Sequence, residues 1–293
     1  MKKLTVALLF AALVLSTFMV GCGKEETSSS VASESSSASS TESTASESAS
    51  SDVSTDSSEA ASEAVSESSS AETKVMTYAD YIAAEMDAEV LVETYVQAKQ
   101  SWWLDSETNQ GKATLYTQDQ DGAIFVYQAN CSEEDFAKIS VGTKIRVKGF
   151  KGEYAGEIEI VDATIEVLEG SYVAEATDVT AILGNEEELS KKQNIFASFK
   201  ELTVVASKDA NGNDVAFLYK YNGSGQDGDD LYFNVSDGTN TYSFTVESYL
   251  CDKTTDVYAA VKALNIGDKV NMEGFLYWYN GANLSQRLKL LNN

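Results

Sequence analysis

The sequence contains no histidine and no proline. Without histidine it cannot form the Ser-His-Asp or Cys-His arrangements that activate nucleophiles, or the zinc sites that use imidazole ligands. Arginine is scarce, because Arg146 and Arg287 are the two in the chain, so bidentate clamps for phosphate or carboxylate are nearly absent. Three cysteines occur, at Cys22, Cys131 and Cys251. We therefore expect no cofactor, no metal site and no enzymatic activity.

The chain also has few positively charged residues. The chain has 46 Asp and Glu against 21 Lys and Arg, which gives a formal net charge of −25. Affinity for nucleic acids comes largely from lysines and arginines that displace counterions from phosphates. This balance argues against nucleic acid as a partner and fits a soluble protein outside the cytoplasm.

The first 22 residues have the order of an export signal. Lys2 and Lys3 precede an apolar run over 4–20, which is short for a membrane span. The cysteine that follows resembles the lipobox of bacterial lipoproteins. The resemblance implies that residues 1–21 are a signal peptide, that Cys22 carries lipid, and that the protein is anchored on the extracytoplasmic face of the cell membrane. An ordinary cleaved signal followed by a chance cysteine is the alternative.

The next segment, 22–72, consists mainly of Ser, Ala, Glu and Thr and contains no aromatic residue. Such a composition cannot bury enough apolar surface to offset the entropy lost on ordering. We therefore predict a disordered linker between Cys22 and the folded part. Roughly 220 residues remain, a length that suits two small domains.

The folded part contains a repeat. A Leu-Tyr pair followed after four residues by Asp-Gly occurs at 115–122 and again at 231–238. A second set of identities has an offset of 125, and it pairs Gly142, Lys144, Gly149, Phe150, Tyr154 and Gly156 with Gly267, Lys269, Gly274, Phe275, Tyr279 and Gly281. We predict a duplicated domain, with one copy at 73–170 and the other at 171–293.

Alternating apolar and polar residues predict three strands, a short helix and two further strands in each copy. The first copy has strands at 90–97, 113–117, 123–128, 144–150 and 157–167, with a helix at 132–139. The second copy has strands at 200–206, 231–235, 241–246, 269–276 and 284–291, with a helix at 255–264. This order resembles the OB-fold, a five-stranded Greek-key barrel. With its serine-rich linker, the chain resembles Firmicutes-type surface lipoproteins that carry tandem OB-fold-like domains. The resemblance brings no catalytic residue with it.

Aromatic residues occupy the loops where a site is expected. In OB-folds, ligands meet strands two and three and the loops between strands one and two and between four and five. These predicted loops hold Trp102, Trp103 and Tyr154 in the first copy and Tyr277, Trp278 and Tyr279 in the second. Flat aromatic faces suit stacking on sugars, peptides or bases. Packing at the barrel ends, or between the barrels, is the alternative role of these rings.

The function predicted from these features is a binding module for an extracellular carbohydrate, cell-wall material or a protein. A structural module of an envelope complex is one alternative. A single-stranded nucleic-acid binder is another, since Tyr116 and Tyr127 fall on strands two and three, where such proteins stack bases.

The sequence contains three smaller patterns. Glu157 and Glu159 share one face of a strand and form a candidate acid/base pair, although an exposed polar strand face is the simpler interpretation. Residues 209–214 are rich in Asp and Asn, but Gly212 is out of place for a calcium loop, which favours a solvated loop. Cys131 and Cys251 form either one disulfide or two buried thiols.

Overall fold

The computed structural model describes residues 74–279 and 284–285. The predicted signal peptide, Cys22 and the linker lie outside these residues. The described part is mainly β, with a few short helices, which confirms the coarse form of the fold prediction.

The first half forms a closed barrel, which we call the first barrel. Its strands are β1 (Glu89–Lys99), β3 (Gly111–Gln118), β4 (Ala123–Asn130), β5 (Thr143–Tyr154) and β6 (Glu157–Ser171), and the short β2 (Trp103–Leu104) adds to the edge of β3. The pairing order β1–β5–β6–β4–β3 returns from β3 to β1 and closes the cylinder. β4 and β6 are parallel, while the other pairs are antiparallel. This is the strand order of an OB-fold.

The second half forms a larger sheet, which we call the second sheet. Its path is β14–β8–β12–β13–β15, with β7 on β8 and β11 on β12. The strands are β7 (Thr177–Asp178), β8 (Phe196–Val205), β11 (Leu218–Tyr219), β12 (Leu231–Ser236), β13 (Thr241–Val246), β14 (Lys269–Phe275) and β15 (Leu284–Ser285), and a separate hairpin joins β9 (Ser207–Lys208) to β10 (Asp214–Val215). β13 and β15 are parallel, like β4 and β6. Within the described residues no ladder joins β15 to β14, so we describe this half as a sheet.

The helices are short and begin at polar caps. They are α1 (Tyr78–Ala83), α2 (Glu133–Lys138), α3 (Glu186–Ser190) and α4 (Asp256–Lys262), with a 3₁₀ turn at Thr180–Ile182. Thr77 and Asp80 form a reciprocal capping box at α1, as the spacing of Thr and Asp indicates. At α2, the Ser132 hydroxyl accepts a hydrogen bond from the backbone N–H of Asp135 and caps the helix. None of the helices in the described chain has the length and hydropathy that crossing a bilayer requires.

Each half has its own apolar core, because alternate residues of each strand turn inward. Val90, Val92 and Val96 of β1 are buried in the first barrel, and Phe233 of β12 is buried in the second sheet. A third cluster joins the halves and contains Ala98, Tyr116 and Phe125 of the first barrel with Phe275 of the second sheet. Both halves belong to one compact unit of the chain. The face formed by β3 and β4 is therefore packed against the second half.

Candidate ligand-binding cleft

A cleft of about 640 Å³ opens beside β12 and β13 of the second sheet. We call it the tyrosine cleft. It is lined by Tyr221, Asp230, Tyr232, Thr245, Glu247, Tyr277 and Tyr279. Its volume lies within the range of about 300–1,000 Å³ typical of small-ligand sites.

The floor of the cleft comes from a cross-strand pair. Tyr232 of β12 lies opposite Thr245 of β13 in the antiparallel ladder. Because alternate residues of a strand face opposite sides, Leu231 and Phe233 point into the core of the second sheet while Tyr232 faces the cleft. The alternation of β12 therefore fixes the orientation of the ring.

Loop residues form the rim. Tyr221 follows β11 and is 75% exposed. Tyr277 and Tyr279 follow β14 and point to the cleft on either side of Trp278, which turns into the core. The Tyr277 ring contacts Phe125 edge-on, with ring centroids 5.3 Å apart. The first barrel thus supports one wall of the cleft.

Two carboxylates are held beside these rings. Oδ1 of Asp230 accepts hydrogen bonds from the backbone N–H of Ser248 at 2.8 Å and from its hydroxyl at 2.7 Å. Oε2 of Glu247 accepts from the Tyr116 hydroxyl at 3.0 Å and from Nε2 of Gln100 at 3.2 Å. Both acidic groups are therefore oriented by their surroundings, and one of them is oriented by the first barrel.

The tyrosine pKa values reflect this environment. The pKa of Tyr232 is raised to about 12, first by burial and then by the negative charges of Asp230 and Glu247. The pKa of Tyr277 is raised by burial and by Glu157, Glu159 and Glu247. Both phenols therefore stay protonated at neutral pH and remain hydrogen-bond donors. None of the residues that line the cleft in the described chain is a lysine or an arginine.

The equivalent face of the first barrel is covered. Tyr116 of β3 corresponds to Tyr232 of β12 in the repeat, but it is fully buried. Its ring stacks on Phe275 with centroids 4.6 Å apart and packs on Phe125 at 4.9 Å. Tyr127 of β4 remains partly exposed. The β3–β4 face thus serves as an interface between the halves.

Two buried glutamates lie at the same interface, and here the sequence-based interpretation was wrong. Glu157 and Glu159 were expected on an exposed strand face, but they are 0% and 6% exposed, because the second half covers this face of β6. Oε2 of Glu157 accepts a hydrogen bond of 2.7 Å from the backbone N–H of Trp278. Burial raises the pKa of Glu157 to about 8 and that of Glu159 to about 7. The geometry assigns these groups to packing between the halves.

The protonation of Glu157 is decided by opposing effects. Oε1 of Glu157 and Oδ1 of Asn194 are both buried without a hydrogen-bond partner. Burial, the larger effect, favours the neutral acid, whereas the Asn194 side chain and the backbone N–H of Trp278 favour the carboxylate. The raised pKa therefore keeps Glu157 mainly neutral at pH 7.

Comparison with known proteins gives structural similarity only. No protein-family model and no curated protein matches the chain. Similar solved structures include a murine DNA-binding protein bound to double-stranded DNA, with 13% identity over 69% of this chain and 99% of that chain and a TM-score of 0.33. Another is p202 HIN1 in complex with 12-mer double-stranded DNA, with 11% identity, coverage of 72% and 96%, and a TM-score of 0.31. A third is a Replication Protein A heterotrimer bound to single-stranded DNA, with 12% identity, coverage of 75% and 70%, and a TM-score of 0.26. Similarity at this level assigns no function to the chain.

These structures correct one expectation from the sequence. The negative net charge argued against nucleic acid as a partner, yet the similar proteins include complexes with double-stranded and single-stranded DNA. The exclusion was wrong, because the net charge of a whole chain does not decide what one of its faces can bind.

The predicted site residues fall into two groups. Tyr277 and Tyr279 line the tyrosine cleft, and Tyr154 lies beside it, with its ring centroid 6.0 Å from that of Tyr279. The three tryptophans do not line it. Trp278 is 7% exposed and belongs to the core of the second sheet.

The other two tryptophans lie on the first barrel. Trp102 is half-buried, and its Nε1 donates a hydrogen bond of 2.9 Å to the carbonyl of Cys131. Trp103 is exposed and lies in the connection between β1 and β3, where it forms the short strand β2 and pairs with Lys112. A binding role for these tryptophans stays a prediction.

Sequence reasoning missed Tyr221, Asp230, Tyr232, Thr245 and Glu247. One signal for Tyr232 was present, because the repeat aligns it with Tyr116 on the second strand of each copy. The acidic pair had no such signal, since aspartate and glutamate are frequent throughout the chain. Asp230 and Glu247 come together because the start of β12 lies beside the end of β13.

The Asp- and Asn-rich loop and the two cysteines of the folded part have structural roles. Oδ1 of Asp209 accepts hydrogen bonds from the backbone N–H groups of Asn211 and Asn213, both at 2.8 Å, so the carboxylate closes its own turn. Cys131 is a free, buried cysteine, so the disulfide with Cys251 is not formed. Cys251 is buried in the core of the second sheet.

Proposed function

We propose that this chain is a lipid-anchored binding protein of the extracytoplasmic face of the cell membrane, and that the tyrosine cleft is its ligand site. The anchor rests on the resemblance of the residues around Cys22 to a lipobox. The site rests on the geometry of the second sheet. We propose binding without catalysis as its activity.

One observation carries the proposal. Tyr221, Tyr232, Tyr277 and Tyr279 converge on one cleft beside the carboxylates of Asp230 and Glu247. Tyrosine offers a flat apolar face with a polar tip, which suits the faces of sugar rings. Carboxylates accept hydrogen bonds from hydroxyl groups, and those to charged groups are the stronger ones. The ligand class that matches both features is a polyhydroxylated ring, as in an extracellular glycan or a cell-wall polymer.

The architecture we propose is two tandem OB-like barrels. In the second half, β8, β12, β13, β14 and β15 follow the pairing order of the first barrel as far as the described residues reach. Helix α4 falls between β13 and β14, as α2 falls between β4 and β5. In this scheme β12 and β13 are strands two and three, the ligand face of an OB-fold. The tyrosine cleft lies at that face.

Single-stranded nucleic acid is a second candidate ligand. Tyrosine rings along strand two and the flanking loops of an OB-fold are also a platform on which successive bases stack. The exposed rings of Tyr221 and Tyr279 and the ring of Tyr127 on the neighbouring barrel favour this alternative.

Calorimetric titration of the purified full-length chain tests the proposal. The titrants are neutral oligosaccharides, peptidoglycan fragments and a single-stranded oligonucleotide. We expect a saccharide to bind, and we expect Tyr221→Ala with Tyr279→Ala to reduce affinity by about tenfold or more. Both rings are exposed, so their removal should leave thermal unfolding unchanged. Tyr249→Ala is the matched control, since Tyr249 is an exposed tyrosine outside the cleft.

Three results separate the possibilities. Tyrosine-dependent binding of a saccharide supports the main proposal. Tyrosine-dependent binding of the oligonucleotide alone supports the second candidate. Binding that survives the double substitution would overturn the assignment of the cleft.

A further inference from the structure

The negative charge of the tyrosine cleft favours a ligand that carries a positive charge. Asp230 and Glu247 supply two carboxylates, and no basic residue lines the cleft within the described chain. A neutral ligand in this site would form hydrogen bonds, but it would not neutralise the negative charges of Asp230 and Glu247.

Asp230 receives the two hydrogen bonds from Ser248 on a single oxygen, which leaves its other oxygen able to accept from a ligand. Both hydrogen bonds from Ser248 go to Oδ1 of Asp230. Among the described residues, Oδ2 of Asp230 accepts no hydrogen bond, and the side chain is half-exposed. An ionised carboxylate has about four lone-pair positions. Asp230 is therefore oriented by the protein on one side and able to accept from a ligand on the other.

The rings favour the same kind of partner. A cation within about 6 Å of a tyrosine ring is attracted by the negative face of the ring. Tyr232 and Tyr221 lie beside Asp230, so a single charged group in the cleft would meet ring faces and a carboxylate together.

We propose that the ligand of the tyrosine cleft carries an ammonium group, and that it is an amino sugar with a free amine, seated between the tyrosine rings and Asp230. This inference rests on the proposed function and specifies it. The ring hydroxyls of such a sugar use the hydrogen-bonding capacity of the cleft, and its ammonium group balances the carboxylates.

Two probes of the same backbone test the proposal. One is a tetramer of glucosamine, and the other is the same tetramer with every amine acetylated, which removes the charge. With the full-length chain at mildly acidic pH, we expect the free-amine tetramer to bind about tenfold more tightly. Added salt should reduce this preference, because the Debye length shortens.

Asp230→Asn is the decisive variant. An asparagine keeps an oxygen that can accept from Ser248, so the fold around it is retained while the charge is lost. We expect the ratio of the two affinities to fall toward one. Asp214→Asn removes one charge from the surface hairpin, at a residue that does not line the cleft, and should leave the ratio unchanged. Thermal unfolding of each variant checks that it is folded.

The outcomes are distinguishable. Equal affinities for both tetramers, without salt dependence of the ratio, would overturn the ammonium assignment and leave the proposed function in place. Failure of both tetramers to bind, while another neutral saccharide binds, would also overturn it. If no saccharide binds, both this inference and the proposed function fail.

Discussion

Tyr116 and Tyr232 occupy equivalent positions in the two copies of the repeat, 116 residues apart, in opposite environments. Tyr116 is fully buried and stacks on Phe275 at 4.6 Å, whereas Tyr232 faces the tyrosine cleft. Both side chains leave the same strand of their copy on the same face. The difference arises because the second half packs on the first barrel at this face.

Substituting the two tyrosines should therefore give opposite phenotypes. Tyr116→Ala removes a large ring from the interface and should reduce the free energy of unfolding by about 3–5 kcal/mol. Tyr232→Ala should reduce ligand affinity with a much smaller loss of stability. Chemical denaturation and calorimetric titration of both variants measure the two effects. Equal losses of stability would contradict the assignment of Tyr232 to an open site.

The stability of the fold should fall as the pH rises through neutrality. Unfolding returns the pKa of Glu157 from about 8 to its usual 4.5. Between these values the unfolded chain releases a proton that the folded chain keeps, so the free energy of unfolding decreases with increasing pH. Glu159 adds to this trend between 4.5 and about 7.

Glu157→Gln isolates this effect. Glutamine mimics the neutral acid, because one oxygen accepts from Trp278 and the amide can donate to Asn194. We expect the variant to be more stable than the parent chain at pH 8 by about 3 kcal/mol, and to differ little near pH 4. Denaturation midpoints across this range measure the difference. Glu153→Gln, at an exposed position four residues earlier, in strand β5, is the control. The same gain in this variant would argue against the buried carboxyl as the cause.

Gly156 should be intolerant of a side chain for two reasons. Its φ is +90°, and a Cβ there would lie 2.8 Å from Cδ1 of Trp278. Gly212 has a similar φ of +82° with nothing within 4 Å. Gly212→Ala should therefore cost about 1 kcal/mol from backbone strain alone, and Gly156→Ala should cost about 1–3 kcal/mol more. Thermal denaturation of both variants gives the comparison, and equal costs would show that the Trp278 ring can move aside.

Cys131 should resist thiol reagents in the folded protein. The thiolate is the reactive form, and burial raises the pKa of Cys131 to about 11. We expect labelling at neutral pH to be slow and to become rapid on unfolding. Mass spectrometry of the labelled peptide follows Cys131 itself, and Cys131→Ser identifies its signal. Rapid labelling under native conditions would mean that the strand end opens locally.

The lipid anchor gives a prediction in cells. Cys22→Ser removes the thiol to which lipid would be attached, so the protein should leave the membrane fraction. Fractionation followed by immunoblotting measures this, and Cys131→Ser should remain with the membrane. Retention of the Cys22 variant on the membrane would favour another mode of attachment.

Local patterns in the sequence predicted most of the strands. The alternation in β1 and β6 depends on residues close together in the chain, so the sequence pattern alone indicates these strands. Some strands, such as β5 and β6, are longer in the structure than the sequence predicts. Their ends depend on pairing with the neighbouring strand, which the local sequence does not show.

Contacts between the halves could not be predicted in this way. Alternation correctly placed Glu157 and Glu159 on one face of β6, but the sequence around them does not indicate that the second half covers that face. The same is true of Tyr116. Its counterpart Tyr232 also follows a leucine and precedes an Asp-Gly pair, yet Tyr116 is buried and Tyr232 lines the cleft. Trp278 shows the reverse case, because its loop position indicated exposure while packing on Gly156 and the second core buries it.

The covered face of the first barrel has a consequence for valency under the proposed function. Tyr116 and Phe125 are buried against Phe275 of the second half, so a ligand cannot reach that face. If the tyrosine cleft is the ligand site, each chain offers one such face. Crosslinking two polymer strands would then require two copies of the chain.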